Sequence, residues 1–173
     1  DKAAEFVSFC DAFNIPVLAL VNVKGYKQSK CTERRIAKAA GRLTYAFANA
    51  DVPKVTVVIG EAYGSAYVTM NSKSIGADIV YAWPDAKIGM MDAAAAVKIM
   101  YAEEISASDK AAALISEKAA EYEALQSSAA AAAGRGYVDD IIKADETRQR
   151  VIAAFEMLFT KREGRPSRKH GTV

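Results

Sequence analysis

Two short, nearly unbroken apolar runs constrain this chain most: PVLALVNV at 16–23 and KVTVVIG at 54–60, both of strand length and rich in β-branched residues. Runs without polar alternation suit strands covered on both faces, which predicts a parallel sheet sandwiched by helices. The intervening segments read as those helices. AAEFVSFCDAF places Ala4, Phe6, Val7, Phe9, Cys10 and Phe13 on a helical pattern that Asn14 and Pro16 stop, and 32–50 carries an apolar face through Leu43, Tyr45 and Phe47. SAYVTMNSKSIGA reads as a short helix ending near Gly76, and short strands at 79–83 and 86–89 flank Pro84-Asp85. Asp92 stands where it would cap a helix through 102. An Ala-, Glu- and Lys-rich helix is expected over 108–133, its alanine run closed by Gly134 or Gly136, then extended chain at YVDDIIK and a last amphipathic helix over 147–161. Alternating β and α elements without repeats or linkers predict a single α/β domain over 1–173.

Composition narrows the class. Hydrophobic residues make 51% of 173 and charged residues 25%, and no apolar run nears the roughly 20 residues of a spanning helix, so neither disorder nor membrane insertion is expected. A net charge of +2 gives no reason to expect a nucleic-acid partner. Cys10 and Cys31 lack metal-ligand spacing and His170 is the one histidine, so no metal site is expected. Two thiols of this kind fit a reducing, cytoplasmic setting. The chain opens without Met, signal or transit sequence, in what reads as a helix already under way, and is expected to be part of something longer.

Three segments carry candidate chemistry. In the turn between the second strand and its helix, residues 60–67, Gly64, Ser65 and Ala66 are small. Small residues there serve any tight strand-to-helix connection, and they also let a ligand approach first-turn amides that lack a helical acceptor. Ser65 lies in YGSAY rather than G-x-S-x-G, and the only imidazole is His170 in the basic tail, which argues against a Ser-His-Asp hydrolase. Lys24, Lys27, Lys30, Arg34 and Arg35 surround Gly25 at the end of the first strand, either as a solvated loop or as an anion-facing cluster. The tail cations Lys161, Arg162, Arg165, Arg168 and Lys169 suit a surface segment packed on a neighbouring chain. Paired carboxylates, a Walker loop and GxGxxG are all absent.

The blocks FCDAFNIPVLALVNVKGY, ADVPKVTVVIGEAYGSAYVTMNSKSIGADIVYAWPDAKIGMM, AAAGRGYVDDII, ETRQRVIAAFEML and TKREGRPSRKHG together resemble the carboxyltransferase family of biotin-dependent acyl-CoA carboxylases. That family includes propionyl-, methylcrotonyl- and acetyl-CoA carboxyltransferases and the related sodium-pump decarboxylases. The resemblance covers the C-terminal, biotin-side half of such an enzyme. It implies a crotonase-like superhelix of ββα units and transfer of a carboxyl group from carboxybiotin to the α-carbon of an acyl-CoA. It also implies that the amides of Ser65 and Ala66 are the oxyanion donors. Gly25, Tyr26, Tyr63, Gly64 and Tyr67 would surround biotin or substrate, and Val68 would form a small apolar wall against the acyl group. The implied partners are the N-terminal carboxyltransferase half, a biotin carboxyl carrier protein and biotin carboxylase, in a homo-oligomer without direct membrane insertion. This sequence departs from the family pattern at Ser65, where the family has Gly. It departs again after Gly25-Tyr26, where KQSKCTERR replaces a second glycine and a Gln-Glu stretch, and at Met91-Asp92-Ala93-Ala94. A subunit of an acyl-CoA decarboxylase and a catalytically degenerate scaffold half are the alternatives.

Overall fold

A computed structural model of the protein describes residues 1–27 and 29–164. Its centre is a parallel sheet of order β1 (Val17–Val23), β2 (Lys54–Tyr63), β3 (Ile79–Ala82) and β5 (Asp140–Ile141), with β4 (Lys87–Gly89) pairing parallel to the far end of β2. β2 is the axis. Its first half pairs with β3, Val55 opposite Ile79, and its last residues pair with β4, Glu61 opposite Lys87. Between the halves the β1–β2 register slips after Val21, because the Asn22 side chain sits over Gly60 and its Oδ1 accepts from the Glu61 amide at 3.0 Å. A Cβ on Gly60 would come within 2.7 Å of that Oδ1, so a larger residue at 60 would have to displace the Asn22 side chain. The strand expected to stop at Gly60 therefore continues to Tyr63, and residues expected in a loop are sheet.

Helices cover the sheet unequally. α1 (Lys2–Ala12) and α2 (Lys30–Asn49) bury Ala4, Val7, Cys10, Ala46 and Phe47 against Val17 and Val52. On the same sheet face, Ala19, Val21, Val58 and Val80 meet Tyr67 and the alanines of α7 (Ala129–Gly134). On the other face α8 (Thr147–Met157) lays Val151 and Ala154 on Val55, Val57 and Tyr81. Each fully buried valine contributes roughly 1.5–3 kcal/mol. α8 packs on β2 and β3, with Arg150 paired to Asp140 of β5; on the edge strand β1 Leu18 and Leu20 stay 42% and 52% exposed, and the expectation of two covered faces fails there. Phe6, Phe9 and Phe13 likewise point outward, because α1 turns its small-residue face, not its aromatic one, to the core.

Other expected helices are subdivided. Asn71, at φ +59° and fully buried, ends the helix after the turn: its Nδ2 donates to Thr56 Oγ1, which donates back to the Asn71 carbonyl. That helix is thus α3 (Gly64–Val68), followed by a 3-10 turn at Lys73–Ile75. Asp92 precedes α4 (Ala93–Met100) without a capping side-chain bond, and α5 (Ala102–Ala107) follows. The stretch 108–133 divides into α6 (Ala111–Tyr122), a π-helical turn at Glu123–Ser127 and α7, capped by Ser128 through the Ala131 amide. α8 tightens into a 3-10 turn at Leu158–Thr160.

A buried polar network closes the bottom of the sheet. Lys54 is fully buried, and its Nζ donates to the Phe47 and Ala50 carbonyls at the end of α2, at 2.8 and 2.9 Å. Asp78 accepts from the Lys54 amide and from Lys161 Nζ, tying the chain after α8 to the sheet.

Candidate active site

β2 runs past Gly60 to Tyr63, a residue 3% exposed; burial, and then the Glu61 charge, push its phenol up to about 12. Gly64 follows at φ +60°, and a Cβ there would lie 3.0 Å from the Met90 carbonyl oxygen. Left-handed backbone under a close carbonyl requires glycine, and it lets the chain pass from strand to helix without a loop. Ser65 and Ala66 are consequently the second and third residues of α3, among the first-turn amides that have no acceptor within the helix.

Ser65 is exposed on a cleft of about 740 Å³, which Val68, Ile88, Met90, Arg135 and Tyr137 also line. Ala66 is 3% exposed and is not on the cleft wall. Tyr67 lines the inner wall with its hydroxyl oxygen buried and without a hydrogen-bond partner among the described residues. Burial, and then nearby Tyr137, push that phenol up to about 12. Of the residues expected around a ligand, Gly64, Ser65, Tyr67 and Val68 therefore gather at the cleft. Gly25 and Tyr26 are not on its wall. Tyr26 instead reaches α3, donating to the Ser65 carbonyl at 3.3 Å and lying 3.2 Å from Thr69 Oγ1.

None of the five cations around Gly25 lines the cleft, and Lys24 is paired with Glu61 at 2.9 Å. From Lys30 onward the substituted segment forms the start of α2, with Ser29 Oγ accepting from the Thr32 amide. The cleft's cations are Lys73, held by Asp139 at 2.7 Å, and Arg135, held by the backbone and side-chain carbonyls of Gln126. Neither was singled out by spacing. Thr69 was also missed, although a hydroxyl three residues after Ala66 has the spacing for bonding back to a helical carbonyl. His170 and the tail cations from Arg165 onward lie outside the described residues. No group of three His, Cys, Asp or Glu is placed to hold a metal, and no helix is long and apolar enough to cross a membrane, among the described residues.

The parallel sheet, the glycine hinge and the short helix beside a cleft belong to a crotonase-type α/β fold, and solved carboxyltransferases share it. The chain belongs to the carboxyl transferase domain family, which matches residues 1–173. It is 46% identical over 178 residues to the propionyl-CoA carboxylase beta chain of Saccharopolyspora erythraea, matching 100% of this chain and 33% of that protein. Identity to the methylmalonyl-CoA decarboxylase subunit alpha of Propionigenium modestum is 44% over 174 residues, 100% of this chain and 34% of that one. A crystal structure of transcarboxylase 12S, a hexamer with methylmalonyl-coenzyme A and methylmalonic acid bound, superposes with TM-score 0.93 at 44% identity, over 99% of this chain and 33% of that one. The chain thus spans about a third of the length of these relatives.

Proposed function

We propose that this chain is the biotin-side, C-terminal part of an acyl-CoA carboxyltransferase, with the amides of Ser65 and Ala66 as hydrogen-bond donors to the carboxyl-carrying group. The observation that carries this reading is the Gly64 hinge, whose φ of +60° beneath the Met90 carbonyl puts both amides in the unsatisfied first turn of α3. The cleft suits biotin: Ile88 and Met90 give apolar walls for a bicyclic ring, and the donors suit a ureido carbonyl. Carboxybiotin would supply the carboxyl group and, once relieved of it, a base for the α-proton of the acyl-CoA. The protein's own contribution is to fix two donors where negative charge develops, each worth about 2.7–4 kcal/mol in comparable sites. The Ser65 side chain has no required part, and Val68 limits the space beside the donors.

Acyl-CoA binding falls to the N-terminal half, and a biotin carrier, a biotin carboxylase and a homo-oligomeric, cytoplasmic assembly complete the proposal. The acyl group is of the acetyl or propionyl class. Operation in the decarboxylating direction is the second reading, favoured by the 44% identity to a methylmalonyl-CoA decarboxylase subunit. The chain joined to an acyl-CoA-binding half should catalyse acyl-CoA-dependent decarboxylation of carboxybiotin. A joined, folded protein that binds biotin but shows no turnover would leave the scaffold reading instead.

A further inference from the structure

The phenol of Tyr26 and the hydroxyl of Thr69 converge on the carbonyl side of the donor helix. Thr69 is 7% exposed, and its Oγ1 donates to the Ala66 carbonyl at 3.0 Å while its amide donates to the Ser65 carbonyl at 3.0 Å. A threonine hydroxyl has one proton, and here the Ala66 carbonyl takes it. In the 3.2 Å contact between the two hydroxyls Tyr26 is therefore the donor, and its proton lies between Thr69 Oγ1 and the Ser65 carbonyl 3.3 Å away. The Ser65 carbonyl and the Ala66 N–H are opposite ends of one planar peptide unit. A donor that grips this carbonyl fixes the direction of the Ala66 N–H and, by polarising the amide, strengthens it as a donor.

We propose that Tyr26 is a positioning residue for carboxyl transfer: with Thr69 it holds and polarises the Ser65–Ala66 peptide so that the Ala66 N–H is aimed at the developing negative charge. This rests on the donor role assigned above to that amide. It also gives the loop after β1 a part in the reaction without Tyr26 standing on the cleft wall. The hydroxyl, not the ring, carries the effect.

The test uses the complete carboxyltransferase. Tyr26→Phe should lower kcat for transfer roughly threefold to tenfold, the range for losing one neutral hydrogen bond, with KM for acyl-CoA and the unfolding temperature unchanged. Thr69→Val should lower kcat similarly, Thr69→Ser should restore it, and the Tyr26→Phe/Thr69→Val double variant should lose less than the product of the two. Replacing the Ser65–Ala66 amide by an ester removes the N–H and should cost roughly a hundredfold or more; in that background Tyr26→Phe should have no further effect. An unchanged kcat in Tyr26→Phe, with the ester variant impaired, overturns the positioning role and leaves the donor role standing. The same fractional loss with and without the N–H shows that Tyr26 acts elsewhere and also overturns it. An ester variant with full turnover overturns the donor role and the positioning role together.

Discussion

Gly64→Ala tests the hinge. At φ +60° an alanine costs about 1–2 kcal/mol, since its Cβ crowds the following carbonyl in left-handed backbone. That Cβ would also sit 3.0 Å from the Met90 carbonyl oxygen, so the β4–α4 connection must give by a few tenths of an ångström, at about a further 1 kcal/mol. The sum, about 2–3 kcal/mol, corresponds to a fall in Tm of about 4–12 °C for a chain of this size. Activity should fall further than stability. Gly64 immediately precedes the two amides proposed as donors, and misplacing reacting groups by about 1 Å can cost about a hundredfold. Differential scanning calorimetry reads the first effect, and carboxyl transfer in the complete enzyme, normalised to folded protein, reads the second. A Gly64→Ala protein within about a degree of the parent and fully active would refute the claim that Gly64 sets this turn.

Three further outcomes follow from the packing. Lys54→Met should destabilise the chain by about 3 kcal/mol in urea unfolding, because the last carbonyls of α2 lose a buried cationic donor, whereas replacing the exposed Lys38 should be near neutral. Tyr67→Phe should leave stability at pH 7 unchanged or raised, since the hydroxyl it removes is buried and unpartnered among the described residues. A phenol raised from 10 to about 12 in the fold is bound more tightly to its proton there than in the unfolded chain, so its contribution is complete below pH 10 and is lost as pH rises towards 12. Tyr67→Phe should flatten that alkaline decline, measured between pH 9 and 11. Val68→Ala should widen the cleft beside Ser65 and shift relative kcat/KM towards longer acyl-CoA substrates, compared in one competition assay.

What the sequence displayed and what it concealed divide along physical lines. The strands and the small-residue turn were legible because burial and β-branching leave a local signature, as at Val55, Val57 and Val58. The full length of β2 was hidden, because Glu61-Ala62-Tyr63 has no strand signature of its own and its place depends on Asn22 meeting Gly60 across the sheet. The half-covered β1 was hidden for a related reason: an apolar residue does not declare which neighbour covers it. At the site, Gly64, Ser65 and Val68 were found from the turn and the family pattern. Arg135 and Tyr137 are drawn in by the α7 geometry, which no spacing encodes, whereas Thr69 does have the spacing for its bond back to the Ala66 carbonyl. Tyr26 was expected beside the ligand and stands instead against the donor peptide.

The central claim is that backbone donors, not the Ser65 hydroxyl, perform the chemistry of this half. The most direct measurement compares kcat for carboxyl transfer by the complete enzyme carrying Ser65→Ala with that of the enzyme carrying an ester at the Ser65–Ala66 linkage. Ser65→Ala should keep turnover within about threefold, and the ester should lose about a hundredfold to a thousandfold at an unchanged unfolding temperature. The reverse order, a silent ester and an inactive Ser65→Ala, would contradict the account.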